Sequence, residues 1–156
     1  MIFRTATRQD LPVVLALLAQ DDKAAAGTPA IPRAGGFSEV SEAHERAFAA
    51  IEADARNELL VLEEDGAVVG CLQLTYIPGL GQGGRDRALV EAVRIRADRR
   101  GGGLGAELMG LARERARQQG CGLMQLTSDK RRSAAHRFYE RLGFTRSHEG
   151  FRLPLT

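Results

Sequence analysis

The stretch Val93-Arg94-Ile95-Arg96-Ala97-Asp98-Arg99-Arg100-Gly101-Gly102-Gly103-Leu104-Gly105-Ala106 decides the reading of this chain. It runs as the end of a strand, a short basic turn, a glycine run and a helix that starts near Leu104. Glycine lets the backbone approach a ligand closely, and the first amides of a helix lack intrahelical acceptors. Backed by the positive end of the helix dipole, such amides can hold phosphate oxygens. Arg99 and Arg100 add charge at the same place. Taken by itself the segment is equally a flexible turn with a solvated basic rim, since short glycine motifs recur by chance.

On either side of that turn the pattern alternates strands with helices. Ile2 to Arg4 supplies a first strand, and Asp10 caps a helix with Leu11, Val14, Leu15 and Leu18 on one face. Residues 21–37 show no periodicity and read as a long loop. A second helix is expected from about Glu42 to Arg56. Glu58 to Glu63 and Ala67 to Tyr76 form a hairpin through Asp65-Gly66. A glycine-rich connection, Ile77 to Asp86, leads to a third strand, Arg87 to Ile95. The helix after the glycine turn carries Leu104, Leu108, Leu111 and Ala112 on one face and ends at Gly120. Leu123 to Thr127 is a strand, Ala134 to Leu142 a short helix, and Phe144 to Leu155 is expected to supply two final strands. The order β-α-α-β-β-β-α-β-α-β-β predicts an α/β fold with a mixed central sheet and helices on both faces.

Composition narrows the class. The chain has 156 residues, the length of one domain (1–156), with 44% apolar residues and a net charge of +2. That charge gives no global field for nucleic acid, and the arginine clusters lack aromatic interleaving. Basic residues gather instead from Arg94 to Arg100 and from Lys130 to Arg132, which suits a small polyanion. Cys71 and Cys121 sit in apolar runs and read as buried reduced thiols. No His/Cys cluster has zinc spacing, so no metal is expected. No signal-peptide pattern opens the chain, and the apolar run Leu11 to Ala19 is too short to cross a bilayer. A soluble cytoplasmic protein, with neither membrane nor nucleic acid as partner, is the expectation.

Strict alternation along the strand places Leu89, Glu91, Val93 and Ile95 on one face and Arg94 on the other. A carboxylate among aliphatic neighbours should be reluctant to ionise, which suits a general base working near neutral pH. Otherwise Glu91 sits at a solvated strand end or pairs with an arginine. On the later helix, Ala135, Phe138, Tyr139 and Leu142 form a stripe, with Phe138 and Leu142 as core. Tyr139 lies at the edge of the stripe and its phenol needs a partner, structural or reactive; His136 shares that edge.

Rival nucleotide motifs fit less well. A P-loop needs Lys-Ser/Thr after the glycines, and none follows. Gly101, Gly103 and Ala106 satisfy G-x-G-x-x-A, with Asp129 near the end of the next strand. The charged segment Arg96 to Arg100 nevertheless separates strand from glycines, where a dinucleotide fold needs a tight turn. Too little chain also follows Ala106 to build a doubly wound domain. No G-x-S-x-G nucleophile elbow occurs.

Arg100-Gly101-Gly102-Gly103-Leu104-Gly105 resembles the Q/R-x-x-G-x-G/A pyrophosphate loop of the GNAT acyltransferase superfamily. Ala135-His136-Arg137-Phe138-Tyr139-Glu140-Arg141-Leu142-Gly143-Phe144 resembles its later A-x-x-x-Y-e-x-x-G-F segment, in the right order. The resemblance implies a splayed sheet that holds acyl-CoA between the strand ending at Ile95 and the strand Leu123 to Thr127. Backbone groups of Val93 and Ile95 would pair with the pantetheine arm. The amides from Arg100 through Gly101, Gly102, Gly103, Leu104 and Gly105 to Ala106 would hold the pyrophosphate. Tyr139 would protonate the leaving thiolate and Glu91 would act as base, directly or through water. Phe138 falls within the cofactor-binding segment. Where the superfamily often has Asn, seven residues before the tyrosine, this chain has Arg132, which either reaches CoA phosphates or is solvated.

The implied activity is transfer of an acetyl group from acetyl-CoA to a primary amine in a ternary complex. The acceptor would be a small molecule or a peptide, entering between residues 21–37 and the Ile77 to Asp86 loop. A homodimer through the final strands is an expectation at the level of the superfamily. The alternative is a non-catalytic acyl-CoA-binding or sensing module, which would keep the glycine cradle without a working base.

Overall fold

The computed structural model describes residues 1–20 and 39–156. The expected loop at 21–37 therefore lies outside the described residues. Five strands form one sheet in the order β1-β2-β3-β4-β5. They are β1 (Ile2–Thr5), β2 (Asn57–Glu64), β3 (Ala67–Ile77), β4 (Arg87–Ile95) and β5 (Leu123–Gln125). The first four pair antiparallel, and β5 joins β4 in parallel. A parallel neighbour needs a crossover, which α3 (Leu104–Gln118) supplies. Helices α1 (Leu11–Ala19) and α2 (Glu42–Ala53) precede β2, and α4 (Ser133–Arg141) follows β5.

The central strands are apolar on both sides because helices cover both sides. Leu60, Leu62, Leu72, Leu74, Ala88 and Val90 face α3 and pack with Leu104, Leu108, Met109, Ala112 and Ala116. Leu59, Val61 and Cys71 face the other way, against Leu11, Val14, Leu17 and Phe48. Leu108 is fully buried, a burial that contributes about 1.5–3 kcal/mol. Burial also pushes the Cys71 thiol up to about 12, so it is an inert core residue. The β2–β3 hairpin turns at Asp65 (φ 50°) and Gly66 (φ 80°). Two positive φ values in a row match the right-handed twist of the strands.

The structure departs from the sequence expectation in several places, and β5 ends at Gln125 rather than Thr127. Helix α2 stops at Ala53 rather than Arg56. The Asp54 carboxylate accepts the Arg56 N–H at 2.9 Å and the Asn57 amide at 2.8 Å, a local turn that competes with helix. The two strands expected over Phe144 to Leu155 do not form: residues 144–156 carry no strand. Phe151, Leu153 and Leu155 keep the alternation of a strand, yet are 92, 82 and 90% exposed. Alternation specifies a strand only where an edge is there to pair with, and β5 offers three residues.

Candidate active site

The centre of the site is a defect in β4. Cys71 pairs with Arg94 and Gln73 with Glu91, so Ala92 and Val93 together stand opposite Leu72. The extra residue is a β-bulge, and Ala92 takes φ 56° to make it. The bulge reverses the facing of the strand. Before it, Ala88 and Val90 point into the α3 core; after it, Val93 and Ile95 do. Glu91 and Arg94, partners of Gln73 and Cys71, share the opposite face. This corrects the sequence reading, which set Glu91 with Val93 and Ile95 and Arg94 apart. Glu91 is exposed, so the aliphatic surroundings expected to desolvate it are absent.

Beyond the bulge the sheet opens. β4 and β5 pair only at Arg87–Leu123, Ala88–Met124 and Leu89–Gln125. The Arg96 N–H bonds to Val69 O at 2.8 Å, toward β3. Backbone groups alternate sides along a strand, so those of Val93 and Ile95 face the gap. Arg94 Nη1 donates to Val93 O at 2.9 Å, and Arg100 Nε donates to Ile95 O at 3.2 Å. The cleft is lined by Glu91, Val93, Arg94, Leu126, Arg132 and Tyr139, among others.

The glycine turn forms the far end. A 3₁₀ turn, Ala97–Arg99, leads into it. Gly101 (φ 81°) and Gly103 (φ 86°) occupy the left-handed region, which costs an L side chain roughly 1–2 kcal/mol. Gly103 is the N-cap of α3 with no capping side chain. The first intrahelical bond in the turn runs from Glu107 N to Gly103 O at 3.1 Å. The amides of Leu104, Gly105 and Ala106 thus have no acceptor within the helix. Leu104 itself is buried. Gly105 is small for another reason: a Cβ there would lie 3.2 Å from the Phe138 ring. Arg96 pairs with Asp98 at 2.6 Å and Arg99 with Glu64, leaving Arg100, bonded to Ile95 O and Gln20, at the rim.

Tyr139 reaches the cleft from α4. Its ring meets Phe138 edge-on at 5.2 Å and Phe144 at 5.8 Å, which fixes its direction. Burial lifts its phenol above the usual tyrosine value, against the pull of the Arg132 and Arg94 charges. Arg132, half-buried, begins α4 with its carbonyl accepting the His136 N–H at 3.0 Å. The imidazole of His136 is engaged with Asp129 O at 2.8 Å, a structural contact.

The fold therefore brings Glu91, Val93, Arg132 and Tyr139 around one cleft, with Phe138 packed behind it. Sequence reasoning missed the bulge, because alanine carries no signal for a positive φ. It also missed Gln73 and Arg94, which join Glu91 only through strand register. Among the described residues no group of three or more His, Cys, Asp or Glu is placed to hold a metal, and no helix is long and apolar enough to cross a membrane.

A sheet parted by a bulge next to a glycine-led helix defines a mixed α/β protein with a cleft where its last two strands separate. A sequence model of the acetyltransferase (GNAT) family matches residues 25–144, and the chain belongs to that family. A solved protein from Bacillus halodurans C-125, described as a transcriptional regulator, is 39% identical over 99% of both chains with a TM-score of 0.86. An acetyltransferase from Trypanosoma brucei is 28% identical over 99% of both chains, TM-score 0.72. The aminoalkylphosphonate N-acetyltransferase of Salmonella typhimurium is 44% identical over 52 residues. That match spans 33% of this chain and 34% of the relative.

Proposed function

We propose that the protein transfers an acetyl group from acetyl-CoA to a primary amine by direct attack within a ternary complex. The observation that carries this reading is that Glu91, Val93 and Tyr139 line one cleft at the point where the sheet parts. The uncapped amides from Gly101 to Ala106 and the gap-facing backbone of Val93 and Ile95 fit a pyrophosphate and a pantetheine arm. Arg100 and Arg132 add positive charge along the same path. Acetyl-CoA supplies the thioester; the protein's residues do the rest.

Glu91 takes a proton from the acceptor ammonium, directly or through one water, its exposure favouring the water. The freed lone pair attacks the thioester carbonyl, forming the C–N bond. A backbone N–H at Val93 faces the gap and steadies the oxyanion, a contribution of roughly 3–4 kcal/mol in comparable sites. The C–S bond then breaks, Tyr139 gives its proton to the sulfur, a role its burial supports by keeping the phenol protonated, and the second proton lost by the attacking nitrogen restores the phenol. The Salmonella relative, matched over 34% of its length, makes aminoalkylphosphonates a first acceptor class to try. The Phe151, Leu153 and Leu155 tail, apolar at every second position and exposed, supports a dimer in which a second copy covers it.

The decisive assay follows thiol release from acetyl-CoA with a panel of primary amines, alongside CoA binding by calorimetry. Thiol release that depends on an amine supports the transferase. The 39% identity to a transcriptional regulator favours a second reading, an acyl-CoA-binding module without turnover. CoA binding with no thiol release for any amine would establish that reading instead.

A further inference from the structure

The face of the sheet that carries Glu91 holds a polar file that the reaction above leaves unused. Gln73 on β3 is the direct cross-strand partner of Glu91. Such partners share a face, with Cβ atoms about 5 Å apart. Next along that face stand Thr75 and its partner on β2, Asn57. Gln73 Nε2 donates to Asn57 Oδ1 at 3.0 Å, and Thr75 Oγ1 donates to the same oxygen at 2.8 Å. Asn57 Nδ2 donates to Asp54 Oδ2 at 2.8 Å.

These bonds have a direction imposed by chemistry. An ionised carboxylate has no proton to give, so Asp54 can only accept. Bonds from the Arg56 N–H and the Asn57 amide hold the Asp54 carboxyl below the usual range, so it stays ionised at neutral pH. Asn57 must therefore turn its NH₂ toward Asp54 and its carbonyl toward Gln73 and Thr75. Gln73 in turn must direct its NH₂ toward Asn57. Its own carbonyl oxygen points away from Asn57 and is the end of the relay, on the face of Glu91.

We propose that Gln73 Oε1 and the Glu91 carboxylate together seat the ammonium group of the acceptor, with Asn57 and Asp54 fixing the Gln73 amide. This rests on the acetyl-transfer reading and specifies its acceptor as a primary alkylammonium. Two adjacent acceptors match two N–H groups of an ammonium. A hydroxyl acceptor offers one proton and leaves the other oxygen facing nothing. When Glu91 removes one proton, Gln73 holds a second N–H and so turns the new lone pair to the thioester. Gln73 is thus a specificity-determining contact, and Asn57 a positioning residue acting through it.

The test uses the full chain with acetyl-CoA and three probes, 2-aminoethylphosphonate, spermidine and tyramine. Gln73→Met, close in volume, should raise the KM of the amine that turns over at least tenfold. Asn57→Leu should raise it three- to tenfold by releasing the amide. In both, acetyl-CoA affinity by calorimetry should stay within twofold of wild type, which reports an intact fold. If Gln73→Met no longer binds acetyl-CoA, Asn57→Leu alone decides. Wild-type turnover with an acceptor KM unchanged in these variants overturns the seat and leaves the transferase standing. Acetyl-CoA binding with no turnover of any probe by the wild type overturns both.

Discussion

The two ends of the cleft are built of different material. At the glycine end the proposed ligand-facing groups are main-chain amides of one continuous segment, Gly101 to Ala106, with Gly101 at φ 81° and Gly103 at φ 86°. At the Glu91 end the proposed seat is made of side chains, Glu91 and Gln73, set beside each other by register, with Asn57 behind Gln73. The contrast has consequences. Backbone donors survive most side-chain changes but fail when φ is no longer attainable. Side-chain acceptors tolerate backbone strain nearby but depend on the amide being turned the right way.

The sharpest break in this comparison comes from Gly103→Val. A β-branched residue in the left-handed region should reorient the first amides of α3. Acetyl-CoA affinity should fall about 100-fold, close to 2.7 kcal/mol. Calorimetry measures it, and an unchanged Kd would mean that the amides are not the grip. Tyr139→Phe probes the middle of the cleft. It should lower kcat by about 100-fold, the scale of general-acid catalysis, while leaving acetyl-CoA binding within about twofold. A parallel loss of affinity would make the phenol a binding group instead.

Ala92 tests the joint between the two ends. Ala92→Val should lower kcat/KM by about tenfold, because a β-branched side chain resists φ 56° and the bulge that aims Glu91. Ala92→Gly, free of that strain, should keep activity and raise Tm by about 2–4 °C for each kcal/mol relieved. Equal Tm values for both variants would remove strain from the account.

The smallest effect is spectroscopic. The chain has two tyrosines, Tyr76 and Tyr139, and no tryptophan. Burial raises both phenols, and the Glu58 carboxylate, hydrogen-bonded to the Tyr76 hydroxyl, raises that one further. The folded protein should therefore show little phenolate absorbance at pH 10, where the unfolded chain shows about half. Groups that hold protons more tightly when folded stabilise the fold fully below about pH 10. That contribution drains away as pH climbs through the raised values, so alkaline unfolding should begin there. In Tyr139→Phe the remaining phenolate signal reports Tyr76 alone.

Much of this molecule was legible without coordinates, for local reasons. The Asp65-Gly66 turn, the span Arg87 to Ile95 and the helix start at Leu104 follow from φ preferences and periodicity within a few residues. The glycine run and the stripe bearing Phe138 and Tyr139 gave the family for the same reason. The final strands were misread because alternation at Phe151, Leu153 and Leu155 says nothing about whether an edge exists to receive it.

By itself the sequence determined the order of elements from β1 to α4 and where a backbone cradle opens, since these depend on neighbours along the chain. Only the tertiary structure decided which way Glu91 faces and which residues stand beside it. One extra residue at Ala92 inverts every later side chain in a strand of period two, and cross-strand register chooses Gln73 as the neighbour. Neither leaves a mark in composition or spacing, because both are settled by pairing between segments far apart in sequence.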